Sequence, residues 1–130
     1  MKYLITTLAL FLGITSQAYA LDKEAFDNAR FEQLQAENQV ILVDVFANWC
    51  STCAQQQKLL ERYRQQNPDK QFVILEVDFD TDKNWVAHFR APRQSTLILY
   101  RGEQRVWFSV AETRYDIIAN ALDEALSETF

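Results

Sequence analysis

An apolar run interrupted by one acid, Val40-Ile41-Leu42-Val43-Asp44-Val45-Phe46, ends two residues before Trp49-Cys50-Ser51-Thr52-Cys53. Its length and β-branched content predict a strand buried on both faces, as in the centre of a parallel sheet. The stretch from Cys50 to Gln66 predicts a helix, with Leu59, Leu60 and Tyr63 along one side and a glutamine-rich surface on the other. Asn67-Pro68-Asp69 stops it. Two cysteines therefore sit where a buried strand hands over to a helix. The first lies at the positive end of the helix dipole, which favours its thiolate. The second lies one turn on, within reach of a disulfide.

These are the only cysteines, and His88 is the only histidine. Three uses compete for such a pair. As a structural staple it closes a very short loop, worth roughly 2 kcal/mol in the chain-entropy model against about 3 for a loop of 15 residues. As a closed structural zinc site it lacks ligands, since four are needed. A thiol–disulfide redox centre requires only the strand–CxxC–helix context, which is present.

The N-terminus reads as a secretory leader. Lys2 precedes an apolar stretch from Leu4 to Ile14, too short for a comfortable membrane span, and Ala18-Tyr19-Ala20 is an A-x-A cleavage pattern. The expectation is a signal peptide over 1–20, cleaved after Ala20, and one domain over 21–130. With no cysteine beside that site, a lipid anchor is not expected, so the product is periplasmic or secreted and free of the membrane. Such a compartment is oxidising. The net charge of −5 argues against a nucleic-acid partner, which calls for a basic footprint.

Along the rest of the chain, Asp22 to Gln39 predicts an amphipathic helix with Phe26, Ala29 and Leu34 inward, and Gln71 to Asp78 a second strand. Thr81 or Asp82 caps a short helix through Phe89. Thr96 to Tyr100 and Gln104 to Val110 form a hairpin around Arg101-Gly102-Glu103. Thr113-x-x-Asp116 opens a last helix in the manner of a capping box, with Ile117, Ile118, Ala121, Leu122 and Ala125 near one face. The predicted order is α-β-α-β-α-β-β-α. It implies an α/β fold whose central mixed sheet carries helices on both faces.

That order, with Val43 to Cys53 in its first strand–helix turn, Val77-Asp78-Phe79-Asp80 at a strand end and Thr96 to Tyr100 before Gly102-Glu103, closely resembles the thioredoxin superfamily. The resemblance covers essentially the whole chain after the leader. It implies a thioredoxin-like three-layer α/β/α sandwich and a thiol–disulfide oxidoreductase that needs no cofactor or metal. Its partners would be protein thiols and disulfides, with a membrane-embedded electron donor if it works reductively. In that reading Cys50 is the exposed attacking thiolate and Cys53 the buried resolving thiol, the two closing as a disulfide. Trp49 flanks the site beside Ser51 and Thr52. Asp44 matches the family's buried acid, which exchanges a proton with the resolving thiol. A desolvated carboxyl has a raised pKa and suits that task.

The chain departs from the family pattern at four places. Ser95 stands where a cis-proline is usual, immediately before Thr96, and a Gln94–Ser95 bond is expected to be trans because a non-proline cis bond costs about 2.5–4 kcal/mol. Glu76 stands where a lysine often accompanies the buried acid, leaving two carboxylates without a cation, unless Glu76 points to solvent. Val110 replaces a groove glycine, so a substrate groove of Gln94, Ser95, Thr96 and Val110, with Arg93 at its edge, is bulky. Lys58 replaces the proline that kinks the active-site helix. Arg90 and Arg93 either bring positive charge towards Cys50 or are solvated loop residues. Two other readings follow from Ser95: a binding module in which the CxxC is ancillary, and a metal or iron–sulfur site formed by Cys50 and Cys53, with two chains sharing four cysteines. The Ser-Thr pair between the cysteines carries no charge to stabilise the thiolate strongly, which favours a reducing couple over a strong oxidant.

Overall fold

A computed structural model describes residues 22–127; the leader expected over 1–20 lies outside them. The elements run β1 (Lys23–Ala25), α1 (Asn28–Ala36), β2 (Val40–Phe46), α2 (Ser51–Gln66), β3 (Val73–Asp78), α3 (Lys83–His88), β4 (Thr96–Arg101), β5 (Gln104–Val110) and α4 (Tyr115–Leu126). The sheet order is β1-β3-β2-β4-β5. β1, β3 and β2 are parallel, whereas β4 runs antiparallel to β2 and β5 antiparallel to β4. The mixed sheet with helices on both faces matches the architecture expected from the sequence.

β2 is the third of five strands and has no face to spare for water. Val40 and Leu42 point into one cluster with Leu60 and Tyr63 of α2 and Ile118 and Leu122 of α4. Ile41, Val43 and Val45 point into the other, with Phe31 and Leu34 of α1 and Val86 of α3. The period of two along the strand puts Asp44 on the α2/α4 face. In α2 the buried residues Cys53, Gln56, Leu60 and Tyr63 follow the 3–4 spacing of an inner stripe. That stripe clamps α2 across the sheet, and its first member is a cysteine.

The first predicted helix is a correction. Lys23-Glu24-Ala25 is a short edge strand paired with Ile74, Leu75 and Glu76, and the helix begins only at Asn28, capped by the Asp27 carboxylate on Arg30 N–H at 2.8 Å. A three-residue polar edge strand lacks the apolar alternation that betrays a strand in sequence. Of the inward residues expected there, Leu34 is buried, Ala29 is exposed, and Phe26 precedes the helix, packing against Phe31, Trp85 and Phe89. The last helix is capped differently too. Arg114 is its N-cap residue, and Thr113 gives way to Glu112, whose carboxylate accepts the backbone N–H groups of Thr113 and Arg114 at 3.0 and 2.8 Å. Arg114 also donates to it from its side chain, and these bonds hold the Glu112 carboxyl down at about 2. Asp82 precedes α3 as expected, but its carboxylate accepts from Asp78 N–H rather than capping the helix.

Candidate active site

The strand–helix turn closes on itself before the helix begins. Cys50 N–H donates to Ala47 C=O at 3.1 Å. Cys50 is the N-cap residue of α2, and its Sγ accepts the N–H of Cys53 at 3.0 Å. The two cysteines form a disulfide, with Cα atoms 5.3 Å apart. A sulfur in the cap position receives a backbone donor and faces the positive helix end, so the same site favours a thiolate once the bond opens. In the oxidised state Cys50 is 6% and Cys53 3% exposed. Cys50, expected from the sequence to be the exposed attacking residue, is the more accessible of the two but is itself buried, packed with Ala47, Phe46 and Phe79. Beside it Trp49 is 64% exposed, its indole N–H donating to Asp80 at 2.7 Å. Ser51 is exposed and Thr52 half-buried.

Asp44 is fully buried under α2. Its Oδ2 accepts the side-chain amide of Gln57, while Oδ1 has no hydrogen-bond partner. Gln57 lies four residues beyond Cys53, so the two stack one above the other on the helix. Burial raises the Asp44 carboxyl to about 7, Glu76 adds to the rise, and Lys23 and the Gln57 amide oppose it. Glu76 is the register partner of Asp44 on β3. It is neither unaccompanied nor turned to open water: Lys23 Nζ meets its carboxylate at 2.6 Å. The missing cation is a correction to the sequence expectation, because β1 supplies one from the far side of β3.

The remaining predicted positions separate. Among the described residues no peptide bond is cis, and Ser95 takes a left-handed φ of +61°. Its N–H donates to Val45 C=O at 2.8 Å. Its C=O accepts from Ala111 N–H at 2.8 Å and from the buried Gln56 amide at 3.2 Å. Gln56 also reaches Glu112 C=O at 3.0 Å, so one side chain of α2 ties down both loops at this end of the sheet. Ser95 and Thr96 are fully buried and Gln94 half-buried, whereas Val110 is 37% exposed. Arg90 and Arg93 are exposed, with no ion pair among the described residues; they are solvated loop residues here. Sequence reasoning missed Gln56, Gln57 and Lys23. The two glutamines had a signal, since they share helical spacing with Cys53 and Leu60. Lys23 had none.

The sequence pattern that defines the thioredoxin family matches residues 18–124. The chain belongs to the thioredoxin family. Thioredoxin 1 of Synechococcus elongatus is 28% identical over 103 residues, which span 78% of this chain and 95% of that protein. The bifunctional thioredoxin reductase/thioredoxin of Mycobacterium leprae is 29% identical over 64% of this chain, which spans only 18% of that longer protein. Among solved structures, Trxlp from Edwardsiella tarda superposes with a TM-score of 0.72 at 38% identity, covering 78% of this chain and 98% of that one. Thioredoxins are thiol–disulfide oxidoreductases, and this chain carries its CxxC pair at the active-site position.

Proposed function

We propose that the protein is an exported thioredoxin-type reductase or exchanger of disulfides in other proteins, supplied with electrons by a membrane-embedded donor. The observation that carries the redox assignment is the Cys50 sulfur in the N-cap position of α2, bonded to Cys53 and receiving its N–H. In the reduced protein the Cys50 thiolate attacks one sulfur of a substrate disulfide. That S–S bond breaks, a mixed disulfide forms, and the displaced sulfur leaves as a thiolate. Cys53 then gives its proton to Asp44 and attacks Cys50 Sγ. The internal disulfide forms, the second substrate sulfur is released, and two electrons have passed to the substrate. Asp44 sits one helical turn from Cys53 through Gln57, with a proton affinity near neutrality. Export rests on the leader pattern over 1–20, and the reducing direction on the uncharged Ser51-Thr52 pair.

The decisive measurement is the equilibrium between the Cys50–Cys53 disulfide and its dithiol in thiol buffers, read by thiol trapping and Trp49 fluorescence. A reversible couple between about −270 and −180 mV supports exchange chemistry. A pair locked oxidised below about −300 mV would make it a structural staple. Cys53→Ser should trap substrates as mixed disulfides on Cys50, and Cys50→Ser should trap none.

A further inference from the structure

Asp44 lies at the centre of an arrangement drawn from four elements. From α2, Gln57 donates to Oδ2. From β4, its register partner is the apolar Leu97. From β3, its register partner is Glu76. From β1, Lys23 pairs with Glu76 at 2.6 Å. Lys23 is opposite Ile74, two residues from Glu76, so both side chains share the face that Asp44 occupies. Strands lie about 4.8 Å apart, which puts the anion one strand from Asp44 and the cation about two. The pair is partly buried, at 32% and 20% side-chain exposure, and is therefore screened less than a surface pair.

We propose that the Lys23–Glu76 ion pair is a positioning device for the redox reaction: an oriented couple, anion inward, that fixes how tightly Asp44 holds the proton it exchanges with Cys53. This deepens the role given to Asp44 above and rests on it. A lone Glu76 carboxylate beside Asp44 would strengthen Asp44's hold on that proton. A cation in its place would weaken Asp44's hold on that proton. The couple gives an intermediate field, and Lys23 can moderate Glu76 only because β1 pairs with β3. Gln57 completes the device. By donating to Oδ2 it leaves Oδ1, the oxygen without a partner, to carry the proton. The directions agree with this geometry: Glu76 strengthens proton binding by Asp44, and Lys23 and Gln57 weaken it.

Reversing the pair tests the proposal, because Lys23→Glu with Glu76→Lys keeps an ion pair between β1 and β3 while turning its field round. The readout is the Asp44 side-chain carboxyl resonance followed by carbon-13 NMR from pH 4 to 9 in the oxidised protein. The exchange should lower the Asp44 midpoint by at least about one pH unit, making the carboxylate about tenfold more populated at a pH below both midpoints. Glu76→Gln, which removes one charge at constant size, should lower it in the same direction, and Lys23→Gln should raise it. Midpoints unmoved in the exchange variant and in Glu76→Gln would overturn the proposal. If the exchange variant does not fold, Glu76→Gln alone decides. The parent assignment is tested separately by the pH profile of disulfide exchange in Asp44→Asn. An unchanged profile there would remove the proton role of Asp44 even if its midpoint follows the ion pair.

Discussion

Replacing Asp44 by asparagine isolates the cost of a charge buried beneath the active-site helix. The folded carboxyl titrates at about 7, against 3.8 for an unperturbed aspartate. Between those values the folded protein keeps a proton that the unfolded chain has released. Stability is therefore full below about 3.8, falls as pH rises through the interval, and levels off above about 7. Each pH unit inside the interval costs 1.36 kcal/mol. From pH 5 to pH 8 the wild type should lose about 3 kcal/mol through this one group. Asparagine has nearly the same shape and does not titrate. Any hydrogen bond it makes or loses adds an offset that does not change with pH, and the other ionisable groups are common to both proteins. Urea unfolding of the two oxidised proteins at pH 5 and pH 8, followed by tryptophan fluorescence, gives the difference directly. With slopes of about 1–3 kcal/mol per molar urea, the midpoint gap should widen in favour of the variant by about 1–3 M at the higher pH. Stability curves that run parallel across this range would refute the raised affinity, and with it the physical basis for Asp44 as a proton acceptor near neutrality.

Gly102 holds φ +55° in the β4–β5 turn, and an added Cβ would meet Asn38 Oδ1 at 2.7 Å; Gly102→Ala should cost more than about 1 kcal/mol, measured by urea unfolding. Leu60 is fully buried between the sheet and α4, so Leu60→Ala should destabilise by about 2–5 kcal/mol in the same assay. Restoring a proline at position 95 should harm this protein. Ser95→Pro removes the N–H bond to Val45 and forces φ away from +61°, and an unchanged melting temperature would show that the loop adapts freely. Gln56→Ala removes the amide that ties both Ser95 C=O and Glu112 C=O to α2, so hydrogen exchange at Ala111, whose N–H bonds Ser95 C=O, should quicken at least several-fold.

Neighbouring residues alone specify the chemistry-bearing turn and most of the sheet. The length and β-branched content of Val40–Phe46 mark a doubly covered strand, and two cysteines one helical turn apart, close after it, mark the strand–helix turn. The hairpin was equally local, with two β-rich runs flanking Gly102. These features are legible because periodicity, turn chemistry and short spacings are properties of neighbouring residues. Tertiary structure alone decided the surroundings of Asp44. Nothing near Lys23 in the chain announces a strand, and its place beside Glu76 exists only because β1 docks on β3. Gln57 looked like part of a solvated glutamine-rich helix until α2 crossed the sheet above Asp44. Local pattern tells which face of an element is buried, whereas the proton affinity of a buried acid depends on charges and donors brought to it from distant parts of the chain.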